Sequence, residues 1–273
     1  MLLKFFKYQG TGNDFILVNN MDGTYNGVSE DEKKFLCNRK FGIGSDGLIF
    51  LNASKNYDFL MDFSNPDGSK SFCGNGARCA VKFAGDMGLL SSHSVSFEAI
   101  DAVHSAQLCG SEVKLEMSAV DLPKQVGLAD IDSIAFREGF FMDTGSPHLM
   151  ISVNDLRELE TNNLINIGRK IRYSRKYEAD GVNVNLVFAH SSGELSIATY
   201  ERGVENETLS CGTGATACAL LHASKEMNSN GSIKLRTKGG LLQVSYESDG
   251  VNKFTKVHLI GPAKFIYEGT VEI

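Results

Sequence analysis

Long apolar runs are missing from this sequence of 273 residues. No stretch approaches the roughly 18 apolar residues of a membrane span. The opening MLLKFFKYQGTGND lacks the apolar core of roughly 7 to 15 residues that a secretory signal needs. The expectation is a cytoplasmic protein that does not engage a membrane. Cysteine is also scarce: six residues, none in a C-x-x-C pair. That density is far below a disulfide scaffold, so the thiols are expected to be free in a reducing compartment. Cys37, Cys79, Cys109 and Cys218 stand among apolar neighbours and read as small core residues. Basic clusters are lacking too. The formal charge is -6, the pI is near 5.6, and Lys and Arg are scattered, which argues against nucleic acid and leaves a small-molecule substrate as the expected partner. The six His residues form no H-E-x-x-H or other paired-ligand spacing. Neither G-x-x-x-x-G-K-[ST] nor a G-x-G-x-x-G after a strand is found, so no metal and no cofactor are expected.

What is present is an ordinary globular composition, 42% hydrophobic and 22% charged, in a chain long enough for two domains. It carries an internal repeat. TGNDFILV at Thr11 returns as TGSPHLMISV at Thr144, SDGLIFL around Asp46 as ADGVNVNLV around Asp180, and CGNGARCA at Cys73 as CGTGATACA at Cys211. Three matches in the same order at nearly equal offsets imply two copies of one fold. Each copy reads as many short alternating strands, such as GLIFLN and DFLMDFS or LSIATYE and SIKLRTK, with one strong helix after the cysteine. Gly88 is placed to stop the first helix. The fold class is therefore α+β, two pseudo-symmetric lobes, each a curved mainly antiparallel sheet wrapped round a central helix. Pro123 and Pro262 mark the joints: residues 1–121 form the first lobe, closed by a C-terminal strand at 263–273, and residues 122–262 form the second.

A cysteine before G-x-G carries the chemistry. A helix start leaves four backbone N–H groups unpaired and concentrates about half a positive charge there. Glycines let an anion approach those donors, and a thiol in the same field ionises below its free value of about 8.5. One such phrase is equally well a small residue in a tight turn. Two copies in a duplicated, two-lobed protein are expected to face one another across a cleft. One thiolate would then take a proton from a carbon acid and one thiol would return it to the opposite face. Donors at the two helix starts would stabilise the carbanion, each by about 2.7–4 kcal/mol if they act like oxyanion-hole donors.

GTGNDF, NPDGSKSFCGNGARC, ADGVNV and ERGVENETLSCGTGA, spread over almost the whole chain, resemble the diaminopimelate epimerase family. These cofactor-independent enzymes interconvert LL- and meso-diaminopimelate for lysine and peptidoglycan precursor synthesis. Proline racemase and phenazine-biosynthesis isomerases resemble the same duplicated fold. The resemblance implies that Cys73 and Cys211 are the acid–base pair and that Gly74, Asn75, Gly212 and Thr213 offer backbone N–H groups to the reacting carboxylate. It implies that Asn13, Asn65, Asn183, Glu201 and Arg202 hold the substrate and its distant amino-acid end, that His148 and Glu201 help poise the thiols, and that the enzyme is a homodimer. Arg202 suits a carboxylate and the Asn side chains an ammonium.

Taken singly, these residues have plainer readings. Asn65 and Asn13 suit turns, Arg202 and Glu201 suit solvated loops, Asn183 suits a backbone gap, and His148 suits a structural role. Three departures from the family pattern bear on substrate recognition: Ser146 where Asn is usual, Gly47 where some members have Gln, and a spacer between NPDGS and Cys73 one residue shorter than the common form. Two alternatives stay open, a racemase of the same fold for another amino acid and a non-catalytic anion-binding module.

Overall fold

Alternating apolar residues in the first twenty positions fold back as a hairpin. β1 (Leu2–Gly10) and β2 (Asn13–Asn20) pair antiparallel up to Gly10 opposite Asn13. The two turn residues, Thr11 and Gly12, both have positive φ, 53° and 86°, the backbone of a two-residue turn that matches strand twist. Thr11 is β-branched, so its left-handed backbone is strained and needs support from outside the turn. The computed structural model describes residues 1–131 and 134–273, which divide into two compact units. One is Met1–Glu116 with Gly261–Ile273, the other Met117–Ile260.

In the first unit the hairpin leads to α1 (Glu30–Cys37), opened by a capping box between Ser29 and Glu32. Then follow β3 (Gly47–Asn52), β4 (Phe59–Ser64), α2 (Gly74–Asp86), β5 (Ser94–Glu98), β6 (Val103–Cys109) and β7 (Glu112–Glu116). β3 runs parallel to β2 and β5 parallel to β4, while the β3–β4, β5–β6 and β6–β7 pairs are antiparallel. Every side chain of α2 from Ala77 to Val81 is fully buried, Phe83 and Ala84 too. A helix buried on all sides is a core element rather than a surface one. It ends where Gly88 takes φ 68° and its N–H bonds the Gly85 carbonyl, the left-handed stop that glycine supplies.

The second unit contains β8 (Val120–Asp121), β9 (Lys124–Gly127), β10 (Glu138–Asp143), β11 (Pro147–Val153), α3 (Thr161–Arg172), β12 (Asn183–Ala189), β13 (Leu195–Glu201), β14 (Asn206–Thr208), α4 (Gly212–Lys225), β15 (Asn230–Thr237), β16 (Gly240–Ser248) and β17 (Lys253–Pro262). Its ladder repeats the first: an antiparallel hairpin β10–β11, β12 parallel to β11, β13 antiparallel to β12, β15 parallel to β13, then antiparallel β16 and β17. α4 is the buried helix, with Ala215, Ala217, Cys218, Ala219 and Leu220 wholly covered. The strand beside the hairpin differs in origin. In the second unit it is β9, which pairs with β10. In the first it is β18 (Lys264–Glu272), which pairs with β1 from Leu2 opposite Glu272 to Gln9 opposite Lys264. The fold is thus α+β, two copies of a mainly antiparallel sheet around one helix.

The ladder corrects one detail of the repeat. Matching Asp46-Gly47 to Asp180-Gly181 equates the two glycines, yet the parallel register sets Gly47 opposite Phe15 and Asn183 opposite His148. Phe15 and His148 are equivalent through the TGNDF and TGSPH phrases, so Gly47 corresponds to Asn183. The extra residues before β12 are taken up in a turn where Gly181 adopts φ 73°.

Helix α3 packs on β13 with no room to spare. A Cβ on Gly168 would lie 2.4 Å from Cγ of Tyr200, whose ring is fully buried. Alanine is favoured over glycine within a helix by about 1 kcal/mol, but overpacking of a rigid core costs about 1–3 kcal/mol. Gly168→Ala is therefore expected to destabilise the protein, and a urea midpoint equal to or above that of the unaltered chain would contradict the packing described.

Candidate functional site

Both buried helices begin at a cysteine with nearly the same backbone. Cys73 caps α2 at φ -130°, ψ 114°, and Cys211 caps α4 at φ -118°, ψ 114°. Neither helix start has a side-chain cap or an acidic residue in its first turn, so its first amide groups face the end of the helix without a resident carboxylate. The two helix starts otherwise have different surroundings.

In the first unit the Cys73 sulfur lies 3.9 Å from Oδ1 of Asn13, and the side-chain amide of Asn75 donates to the same oxygen at 3.2 Å. Asn13 is oriented from behind, since its own amide donates to Asp46 at 2.6 Å. Arg39 donates to Asp46 and to Asp14, each at 2.6 Å, and Lys7 pairs with Asp14 at 2.6 Å. Burial raises the Asp14 carboxyl, but hydrogen bonds from Arg39 and Lys7 outweigh it and bring the group down to about 2. This ionic chain fixes which way the Asn13 amide points. Asn65 opens a β-turn: Gly68 donates to its carbonyl at 2.9 Å, and its side chain donates to Ser69 and Ser71. It orders the loop that delivers Cys73. Gly47 has Phe63 standing over it, with a Cβ there only 2.3 Å from that ring, so a longer residue requires Phe63 to move.

In the second unit the Cys211 sulfur is 3.4 Å from the Thr213 hydroxyl. That hydroxyl is 2.9 Å from Nε2 of His148 and 3.1 Å from the Ser146 hydroxyl. Ser146 also lies 3.0 Å from Nε2 and accepts from the Asn183 amide at 3.2 Å. On the other side of the ring, Asn185 donates to Nδ1 at 3.0 Å, and Thr199 donates to Asn185 at 2.8 Å. An amide donating to Nδ1 places the ring proton on Nε2, facing Thr213 and Ser146. His148 is fully buried. Burial and then the charge of Arg202 bring it down to about 3, so it is neutral at physiological pH and acts as a hydrogen-bond donor. Gly214 makes the approach possible, because a Cβ there would sit 2.6 Å from Asn185 Oδ1 and 3.2 Å from the His148 ring. Asn183 Oδ1 accepts from the Arg202 backbone N–H at 2.8 Å. The Arg202 guanidinium is exposed and donates to the Asp180 carbonyl. Glu201 ends β13, one residue before it.

The first unit brings Asn13 and Asn75 to Cys73, with Gly74 next in the chain and Asn65 in the preceding loop. The second links Cys211 through Thr213 to His148 and Asn183, and Asn183 to the Arg202 backbone, while Gly212 follows Cys211 and Glu201 is placed only as the end of β13. Sequence reasoning missed the Thr213 side chain, which joins Cys211 to His148, and the support from Asn185 and Thr199. A signal for the last two exists: VNVNLV places polar residues at alternate positions of an otherwise apolar strand, and Thr199 is the cross-strand partner of Asn185. Among the described residues no group of three or more His, Cys, Asp or Glu side chains could hold a metal ion.

The profile of the family described as diaminopimelate epimerase matches residues 5–121 and 140–266. A diaminopimelate epimerase of Flavobacterium psychrophilum is 41% identical over 272 residues, 98% of this chain and 100% of the relative. One from Aquifex aeolicus is 36% identical over 281 aligned residues, 98% of this chain and 97% of the relative. Among solved structures, a PhzF-family phenazine biosynthesis protein of Bacillus anthracis has a TM-score of 0.78 at 15% identity, covering 100% of both chains. A hydroxyproline epimerase of Agrobacterium vitis has 0.71 at 16%, covering 99% of this chain and 92% of that one. At such identities the solved structures speak to the fold alone.

The neutral state of His148 has a measurable consequence. Its folded value lies below the ordinary 6.5, so between about pH 3 and 6.5 the unfolded chain binds the extra proton and stability falls as pH falls. Replacing His148 with Asn is expected to flatten the dependence of unfolding free energy on pH by up to about 1.4 kcal/mol per pH unit near pH 5. Urea titrations at pH 5 and 7 on both proteins measure it; equal slopes would show that the ring is not held neutral.

Proposed function

Because the chain belongs to the diaminopimelate epimerase family, and is thereby an isomerase of the epimerase type, we propose that it interconverts LL- and meso-diaminopimelate with two cysteines as acid and base. The observation that carries this reading is the repeated helix start: two cysteines with matching backbone angles, each at the electropositive end of a buried helix. In the forward direction one thiolate takes the α-proton and becomes a thiol, leaving its electron pair on carbon. The other thiol gives its proton to the opposite face of that carbon and becomes a thiolate. Atoms and charge balance, configuration inverts, and the proton need only pass from one sulfur to the other to reset the enzyme.

The substrate carboxylate next to the carbanion would accept hydrogen bonds from the backbone N–H groups of Gly74, Asn75, Gly212 and Thr213, donors aimed at charge that grows in the transition state. Asn13, Asn65, Asn183, Glu201 and Arg202 would hold the distant amino-acid end, with Arg202 taking its carboxylate. His148, as a neutral donor to Thr213, would orient that hydroxyl toward the Cys211 sulfur. The proton transfers call for no cofactor. The reaction belongs to lysine and peptidoglycan precursor synthesis in the cytoplasm, and the family relationship supports a homodimer.

Incubating the reduced protein with LL-diaminopimelate in deuterium oxide is expected to give meso product labelled at one α-carbon. Cys73→Ser and Cys211→Ser are each expected to slow turnover by at least about a hundredfold. Wild-type rates in both variants would refute the two-thiol chemistry. Equal turnover of amino acids that lack a second amino-acid head would favour a racemase of broader substrate, and no exchange at all would favour a binding module.

A further inference from the structure

Arg78 lies inside the first unit with no exposed surface. It sits on α2, five residues after Cys73, in the part of the helix that is covered on every side. Its Nη2 donates to the Thr11 hydroxyl at 3.2 Å, while Nε and Nη1, equally buried, have no hydrogen-bond partner among the described residues. Guanidinium does not lose its proton in proteins, so a full positive charge is buried without a carboxylate, an arrangement that costs several kcal/mol unless a counter-charge is near. Burial lowers the affinity of Arg78 for its proton, and the groups that act in the opposite sense are the thiols of Cys79 and Cys73.

Of these two thiols, only Cys73 is a suitable counter-ion. Cys79 is wholly buried, and that burial pushes its thiol up to about 12, so it stays neutral. Cys73 is part exposed and sits at the helix N-terminus, whose field favours its anion. Other charged or titratable groups on the strands around α2 are engaged elsewhere: Lys7 with Asp14, Asp62 with Lys70, His104 with Asp101, Tyr8 with Asp86. Those of β7 and β18 are partly or fully exposed. The contact of the Cys73 sulfur with Asn13 Oδ1, at 3.9 Å, favours the thiol, but a long bond from a weak donor is a small effect beside a buried full charge.

Geometry ties Arg78 to the same turn. The Thr11 hydroxyl that it bonds belongs to the strained left-handed residue two positions before Asn13. A Cβ on neighbouring Gly10 would lie 3.4 Å from Arg78 Nη2 and 3.3 Å from the Asn75 carbonyl, so α2 and the hairpin meet there. In the second unit the residue five positions after Cys211 is Thr216, whose hydroxyl donates to the Gly212 carbonyl at 2.9 Å. The charge has been placed in one repeat only.

We propose that the Arg78 guanidinium is the standing counter-charge of a Cys73 thiolate, which makes Arg78 a positioning residue that keeps the sulfur of the first repeat ionised at rest. The proposal rests on Cys73 being an acid–base sulfur, but its test reads ionisation and not turnover. In the full reduced chain, the rate at which iodoacetamide modifies Cys73, followed by mass spectrometry of its peptide from pH 5 to 10, is expected to reach half its maximum well below the free-thiol value of about 8.5. In Arg78→Met the half-point is expected to rise by about one pH unit or more, so that modification near pH 6.5 slows about tenfold while the rate at pH 10 is unchanged. A structural effect alone would leave the half-point in place.

The second measurement needs no variant at Arg78. The Nε resonance of Arg78 in the wild-type chain is expected to shift with the same midpoint and to lose that step in Cys73→Ser. An ordinary wild-type half-point, a folded Arg78→Met with an unchanged profile, or an Arg78 resonance without the step would each overturn the proposal. Should Cys73→Ser abolish exchange while Arg78→Met leaves the alkylation profile untouched, the two-thiol reading stands and this one falls.

Discussion

The amide groups at the start of a buried helix have to be satisfied, and in each unit of this protein the residue placed there is a cysteine with no side-chain cap. Most of the local architecture follows from that constraint. The residues beside the cysteine must be small, so Gly76 and Gly214 let strands and side chains approach the first turn. The helix body is enclosed by its own sheet, and half of α4 is accordingly Ala, Leu or Cys, whereas α2 encloses the charged Arg78. A helix start with no resident acid suits an external carboxylate.

The repeats share a backbone but not an electrostatic design. Around Cys73 the polar support is ionic: Asp46, Asp14, Arg39 and Lys7 lock the Asn13 amide, and Arg78 is buried on the same helix. Around Cys211 it is neutral, a chain of hydroxyls, amides and an uncharged imidazole from Thr199 through Asn185 and His148 to Thr213. Where the first repeat has Phe15 and Ile49 at ladder positions, the second has His148 and Asn185. A duplicated fold thus provides the same donors twice and then distinguishes the two sulfurs by what stands behind them.

Much of this was legible in the sequence because it is written locally. Cysteine followed by G-x-G reports a helix start whatever surrounds it, and the ordered phrases report the repeat. What was not legible depends on contacts between distant positions. Nothing in ARCAVKF signals that Arg78 is wholly buried once the sheet closes round the helix. Thr213 reads as a backbone donor until His148, far away in sequence, meets its hydroxyl. The match of Asp-Gly to Asp-Gly was right in composition and wrong in register, because a turn absorbed the difference before β12.

β1 has β2 on one side and β18 on the other, so one flank of the first strand is filled only after the whole second unit has been made. The second unit, by contrast, is one continuous stretch of chain, and its equivalent strand β9 immediately precedes its hairpin. Domains usually mature in the order of translation. Here the second unit has all its strands in one stretch of chain, while the sheet edge beside β1 in the first unit stays unfilled until β18 follows, and an unfilled edge is open to mispairing.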